Sequence, residues 1–289
     1  MKRIRHLKTM QRWALDSKRT SDKVALVPTM GCLHEGHVSL IKRARKSAGA
    51  AGKVIVSIYV NPTQFGANED FSSYPRDLRK DLNICEREGV DVVFMPSDTS
   101  MYPDATEKEH TTYVIESSLS STMEGKSRPI HFKGVTTVVC KLFMLTLPDT
   151  AVFGAKDYQQ AAIIRRMTSN LNIPVKVIIA PTIREKDGLA MSSRNAYLNQ
   201  EERSQAPILI QTLTEAERMV RSSPHQSIQT NKIQSILKAR IRTKKLAKLD
   251  YIAFFDPDTL EPLDEVCKGS HMALAVYFGK TRLIDNIRL

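Results

Sequence analysis

Val24-Ala-Leu-Val-Pro28-Thr-Met-Gly31-Cys-Leu-His34-Glu-Gly-His37-Val-Ser-Leu40 is the stretch whose reading decides the fold. Its first half is an apolar, β-rich run that breaks at Pro28. Its second half restarts near Gly36 as a helix, with Leu40, Ile41 and Ala44 on one side and Lys42, Arg43, Arg45 and Lys46 mostly elsewhere. The apolar face is built to lie on a sheet. The turn between strand and helix opens onto a helix N-terminus, where unpaired backbone N–H groups and the positive end of the helix dipole make a natural seat for phosphate. His34 and His37, three residues apart, both reach into that seat.

The same alternation continues outward. Further strands are expected at Val54–Val60, Asp91–Met95 and Val175–Ala180, with helices at His37–Ala48, Pro75–Glu88, Val135–Leu145 and Tyr158–Leu171. This is the pattern of an α/β protein with a Rossmann-like, doubly wound parallel sheet. After about Ile183 the texture changes to long polar helices, Gln200–Val220 and Gln229–Lys248, followed by strand-like runs at Tyr251–Phe255 and Met272–Phe278. A smaller C-terminal α+β domain follows from that change, giving expected domains at 1–182 and 183–289. Arg221–Ser227, with Pro224 beside serines, reads as a connection between helices.

Of the 289 residues, 42% are hydrophobic and 26% charged, a composition suited to a globular protein with room for two cores. The apolar run from Val135 to Leu147 is broken by Lys141 and threonines and falls short of the roughly 20 residues a membrane-spanning helix needs, so no membrane association is expected. Met1–Thr20 is basic without the apolar core of a secretory signal. The four cysteines Cys32, Cys85, Cys140 and Cys267 form no CxxC pair, which points to a reducing cytoplasm. A formal net charge of +12 favours anionic partners, either a polynucleotide or a nucleoside triphosphate. The basic residues of the N-terminus and of Lys238, Arg240, Arg242, Lys244, Lys245 and Lys248 are not interleaved with aromatics, so solvated helix faces are the favoured reading over a nucleic-acid platform.

Known phosphate and metal motifs fail on spacing. Gly31 and Gly36 imitate a P-loop frame, but His37 and Val38 stand where Lys and Ser/Thr are required. His34 to His37 is one residue short of the zinc-protease HExxH, and no GxGxxG is present. Alone, such a pair is more often structural or metal-binding than phosphate-handling. Three further segments narrow the choice: Val60-Asn-Pro-Thr-Gln64-Phe-Gly66, Phe153-Gly-Ala-Lys156-Asp-Tyr-Gln-Gln160 and Arg184-Glu-Lys-Asp-Gly-Leu-Ala-Met191-Ser-Ser-Arg194-Asn195. In an open parallel sheet the loops after the strands share one edge, so Lys156, Ser192, Ser193 and Arg194 are expected to face the histidines across a triphosphate. Met191-Ser-Ser-Arg194 by itself would be an ordinary surface turn.

With these segments in hand, the chain resembles the pantothenate synthetase family of the HxGH nucleotidyltransferase superfamily, related to class I aminoacyl-tRNA synthetases. Beyond the segments already quoted, the resemblance rests on Tyr74-Pro-Arg76, Arg128-Pro-Ile-His131-Phe-Lys-Gly134 and Thr281-Arg-Leu-Ile-Asp-Asn286, all in the family's order through nearly the whole chain. It implies an ATP-binding corner of Met30, Gly31, His34 and His37, with His37 as the proton-donating histidine. It implies that Gly154, Lys156, Asp157, Ile183, Met191, Ser192, Ser193 and Arg194 complete the nucleotide site, the last four standing in for the superfamily's Lys-Met-Ser-Lys-Ser loop. Gln64 and Gln160 would hold pantoate, and Gln64 would also lie near beta-alanine. Three positions depart from the family: Ala155 where Glu is usual, Ile130 where Gly is frequent, and Cys32 where Ala is common. Ala155 puts in question any ribose contact that carboxylate makes, and Ile130 bears on the loop beside Arg128.

The implied activity joins pantoate to beta-alanine through a pantoyl adenylate, with ATP and Mg²⁺ required and a homodimer as the assembly. His34, His37, Lys156 and Arg194 are the expected catalytic set, Met191–Asn195 the expected mobile loop, and Asp81 a candidate for magnesium support. Two rival readings remain at this point: an adenylyl or cytidylyl transferase with another acceptor, and a basic RNA-binding module.

Overall fold

The computed structural model describes residues 1–20, 23–67, 69–103, 110–223 and 227–289. The chain divides into two compact units. The first comprises Met1–Ala155 and Gln159–Pro181, and the second Lys156–Tyr158 and Thr182–Leu289.

The first unit runs β1 (Lys2–Ile4), α1 (Leu7–Arg19), β2 (Val24–Thr29), α2 (Glu35–Ala48), β3 (Lys53–Ile58), α3 (Leu78–Arg87), β4 (Val92–Phe94), α4 (Asp98–Met101), α5 (Met123–Ser127), α6 (His131–Thr146), β5 (Thr150–Gly154), α7 (Tyr158–Asn170) and β6 (Lys176–Ala180). Among the described residues, six strands form one sheet in the order β1-β4-β3-β2-β5-β6, every neighbour parallel. Such a sheet is covered on both faces, so its strands are apolar without alternation. Val24, Ala25, Leu26 and Val27 in β2 and Val54, Ile55 and Val56 in β3 are all fully buried. Val38, Ile41 and Ala44 of α2 pack on one face with Val27, Val56 and Val93. The helix face expected to meet the sheet does so.

Strand order reverses at β2, which has β3 on one side and β5 on the other. Loops leaving the C-terminal ends of β2 and β5 therefore diverge to opposite faces and open a crevice, the usual ligand position in this architecture. The turn carrying His34 and His37 follows β2, and Gly154 ends β5.

The second unit continues with α8 (Gln200–Gln205), α9 (Ile208–Arg221), β7 (Ser227–Gln229), α10 (Thr230–Arg242), β8 (Ala247–Phe255), β9 (Glu265–Cys267), β10 (His271–Phe278) and β11 (Thr281–Arg288). β8, β10 and β11 form an antiparallel sheet, and β7 pairs with β9. Leu209, Leu213, Ala216 and Val220 give α9 a helical stripe, as Ile233, Leu237 and Ile241 do for α10. Both stripes bury against Ile252, Phe254, Met272, Leu274, Val276 and Leu283 on one sheet face.

Four sequence expectations need correction here. The single helix Gln200–Val220 is two, α8 and α9, because Pro207 lacks the N–H an uninterrupted helix requires. The helix drawn to Lys248 ends at Arg242, and Ala247 and Lys248 already belong to β8. β1, β5, β7, β9 and β11 are strands beyond those expected. Of the expected connection Arg221–Ser227, Arg221 ends α9 and Ser227 opens β7, so a strand and not a helix follows, while Pro224 lies outside the described residues.

Candidate active site

The two histidines cap α2. His34 occupies the N-cap with extended backbone, and its Nδ1 accepts the Gly36 N–H at 3.1 Å. His37, in the third helical position, returns the favour: its Nδ1 accepts the His34 N–H at 3.3 Å. This is a capping box made of imidazoles. The ring centroids lie 4.1 Å apart. A neutral imidazole that accepts at Nδ1 carries its proton at Nε2, so each ring is held as the Nε2–H tautomer at a helix N-terminus. The pair thus has a structural role in starting α2 and leaves Nε2–H as the other ring donor of each.

The preceding turn is forced into shape by its backbone. Gly31 and Cys32 both have positive φ, +85° and +49°. Two successive N–H groups, of Cys32 and Leu33, consequently point to one side. They donate to the two oxygens of Asp81, 2.9 Å to Oδ2 and 2.6 Å to Oδ1. Asp81 is 1% exposed. Burial pushes its carboxyl above the ordinary aspartate value, and the N–H bonds from Leu33 and Cys32 offset part of that shift. The carboxylate considered for magnesium support clamps the histidine turn. A Cβ on Gly31 would stand 3.0 Å from Asp81 Oδ2 and 3.1 Å from Ile58 Cγ2 in a left-handed conformation. We expect Gly31→Ala to cost about 1–2 kcal/mol, seen as a lower midpoint of thermal unfolding; an unchanged midpoint would mean that the turn relaxes freely.

Gln64 closes a 3-10 turn, Pro62–Gln64, after β3. Its amide donates to Met30 Sδ at 3.2 Å and accepts from Asn61 Nδ2 at 3.2 Å, which brings two of the expected site residues together. Its backbone carbonyl is approached by His131 Nδ1 at 3.0 Å and by Arg128 Nη2 at 3.4 Å. Arg128 also pairs with Glu69. Burial raises the Glu69 carboxyl, but the hydrogen bonds and charge of Arg128 overcome that and hold it below its usual value. Asn61, Glu69, Arg128 and His131 thus form the support of Gln64. Ile130 sits exposed at the N-cap of α6, and the Arg128–Glu69 pair forms beside it.

Of the consecutive glutamines that open α7, Gln159 is buried and committed, accepting from Glu124 N and donating to Leu119 O and Thr122 O. Gln160 is only half-buried.

In the second unit, Lys156 and Asp157 lie on a 3-10 turn, with Nζ 3.6 Å from Asp157 Oδ1. Ile183 and Met191 are joined by the Met191 N to Ile183 O bond of 3.0 Å, and Arg184 bridges Ala190 to make a short hairpin. Ser192 caps the next 3-10 turn, Ser193–Tyr197, its Oγ accepting from Arg194 N at 3.2 Å. Asn195 fastens the far end of that loop, donating to Glu185 Oε1 at 2.6 Å and Ala190 O at 3.1 Å. The Met-Ser-Ser-Arg segment is therefore a braced loop between two fixed ends.

The family model for pantoate-beta-alanine ligase matches residues 2–288. The chain belongs to the pantoate-beta-alanine ligase family. It is 46% identical over 283 residues to a pantothenate synthetase of Syntrophotalea carbinolica, covering 98% of this chain and 96% of that protein. Its identity to the pantothenate synthetase of Acetivibrio thermocellus is 50% over 264 residues, covering 91% and 90%. Among solved structures it is similar to the pantothenate synthetase of Thermus thermophilus, with a TM-score of 0.89 and 38% identity over 100% of this chain and 99% of that one. The pantoate-beta-alanine ligase of Francisella tularensis, solved in complex with beta-gamma ATP and beta-alanine, aligns with a TM-score of 0.76 and 34% identity over 100% and 97%. Membership agrees with the Rossmann-like sheet and the small antiparallel C-terminal sheet. Among the described residues no helix is long and apolar enough to cross a membrane.

Proposed function

We propose that this chain condenses pantoate with beta-alanine, driven by ATP, through a pantoyl adenylate, releasing AMP and diphosphate. The observation that carries the reading is the reciprocal histidine cap of α2, in a chain matched over residues 2–288 by the pantoate-beta-alanine ligase family. In the first step a pantoate carboxylate oxygen attacks the α-phosphorus, a new P–O bond forms and the bond to diphosphate breaks. In the second, the beta-alanine amine attacks the activated carbonyl, loses a proton and expels AMP. No covalent enzyme intermediate is required, since positioning and charge stabilisation carry such transfers.

The chain's residues divide the work as follows. The Nε2–H groups of His34 and His37 and the N-terminal amides of α2 donate to the phosphates where negative charge accumulates. Met30, Gly31 and Gly154 supply close contacts to the nucleotide, with Ile183, Met191 and Asp157 about it, while Lys156 and Arg194 neutralise the triphosphate and the Ser192 and Ser193 hydroxyls donate to it. Gln64 and Gln160, two neutral amides, hold the hydroxy acid, and Gln64 serves beta-alanine as well. Among the described residues no three His, Cys, Asp or Glu side chains converge, and both Asp81 oxygens accept backbone N–H groups. In this reading Mg²⁺ enters with the substrate, on the phosphate oxygens of ATP. We place the protein in the cytoplasm as a homodimer, on the strength of its family and its scattered free cysteines.

The test is isotope exchange between diphosphate and ATP with and without pantoate. Exchange is expected only when pantoate is present. Exchange driven solely by another acid would assign a different acceptor, and none with any acid would remove the adenylation step.

A further inference from the structure

Lys156 follows β5 by two residues, yet it clusters with the second unit, and the contacts that hold it there are specific. Its backbone carbonyl accepts from Asn286 Nδ2 at 2.8 Å. A carbonyl can only accept, so the Asn286 amide is fixed with its NH₂ toward Lys156 and its oxygen toward His271. His271 Nε2 lies 2.9 Å from that oxygen and must carry the proton. Its Nδ1 is then a bare lone pair, buried with no hydrogen-bond partner among the described residues. Burial lowers the basicity of His271, which keeps the ring neutral and the chain of donors in one direction.

The ring is also clamped flat. Tyr158 stacks on His271 with centroids 3.8 Å apart and planes 22° from parallel, Phe255 lies 5.3 Å from it on the neighbouring strand, and Tyr158 Oη donates to Pro257 O at 2.8 Å. Successive strand residues face opposite sides. Asn286 therefore joins Phe255 and His271 on the face away from the helical core, while Asp285 points the other way. There Asp285, 1% exposed, takes Arg184 in a two-bond pair at 2.6 and 3.0 Å. One dipeptide of β11 thus anchors both the Lys156 segment and the base of the hairpin leading to Ser192–Arg194.

We propose that Asn286, oriented by His271, is a positioning residue for Lys156, fixing the lysine backbone at the spacing from Ser192–Arg194 that the triphosphate requires. The inference rests on the reading of Lys156 as a phosphate-binding residue. The helical core lies on the other sheet face, so this network ties the Lys156 segment, and not the helices, to the sheet.

The experiment is a double-mutant cycle on the full chain, read by pantoate-dependent diphosphate exchange. Asn286→Asp keeps the acceptor for His271 and loses the donor to Lys156. It is expected to lower kcat roughly 10- to 100-fold, the scale of a misplaced catalytic group, with the KM for pantoate unchanged. In a Lys156→Ala background the same substitution should add no further loss. His271→Phe, which preserves the stack on Tyr158 but removes the donor to Asn286, should show the same coupling with a smaller effect and keeps the test decisive if Asn286→Asp misfolds. Equal losses with and without Lys156, or no loss, overturn the positioning role. Wild-type activity in Lys156→Ala alone would instead strike the underlying reading of the lysine, and the inference with it.

Discussion

His37→Ala is expected to lose about 10²–10³-fold in the rate of pantoate-dependent diphosphate exchange, the usual consequence of deleting one donor to developing charge. The ring does two things, and they separate by atom. Nδ1 receives the His34 N–H and helps start α2, whereas Nε2–H is the candidate phosphate donor. Loss of a capping side chain costs about 1 kcal/mol, which for a unit of this size lowers the unfolding midpoint by about 2–4 °C. That is far too little to unfold the protein and does not touch the reaction barrier. His37→Gln discriminates the two contributions, because Gln is a natural partner at this position of a capping box. It should recover the midpoint and leave the rate low. Recovery of the rate as well would reduce His37 to a cap; full activity in His37→Ala would end its assignment to the phosphates.

That separation also shows where the sequence was readable. The strand-turn-helix of Val24–Leu40 and the strands at β3, β4 and β6 were legible because apolar β-rich runs alternate with amphipathic helices at short range. β5 was hidden: Thr150–Gly154 is five residues long, follows the apolar α6 directly after Pro148 and Asp149, and has no alternation to mark it as a strand. β11 alternates, but its core-facing positions include Asp285, whose charge makes sense only once Arg184, 101 residues earlier, is in place. The site shows the same division. Histidine spacing, the Met-Ser-Ser-Arg segment and the glutamines are local signals, and resemblance to a family supplied their roles. What braces them is not local. Asn286 meets Lys156 across 130 residues and His131 meets Gln64 across 67, and single-sequence periodicity carries no trace of either pairing.

Asp81 is the sharpest case, and its removal is expected to have the largest effect on the fold of the site. A lone aspartate on an amphipathic helix is ordinarily solvated, but this one is buried with a backbone N–H on each oxygen, from partners 48 and 49 residues away. Asp81→Ala would orphan the Cys32 and Leu33 N–H groups in a buried turn. At about 1–3 kcal/mol for each unsatisfied group, the loss should reach about 2–6 kcal/mol. Asp81→Asn keeps one acceptor, presents an NH₂ to the other N–H, and relieves the cost of a buried charge; about 1–3 kcal/mol is expected. The turn carries His34 and His37 immediately downstream, so loosening it should also misplace both Nε2–H groups. A displacement near 1 Å can cost about 10²-fold in rate. Denaturant unfolding and diphosphate exchange should therefore fall together, in the order wild type, Asp81→Asn, Asp81→Ala. If Asp81→Asn were fully stable but active only at raised Mg²⁺, the carboxylate would be serving the metal after all, and the clamp would be incidental.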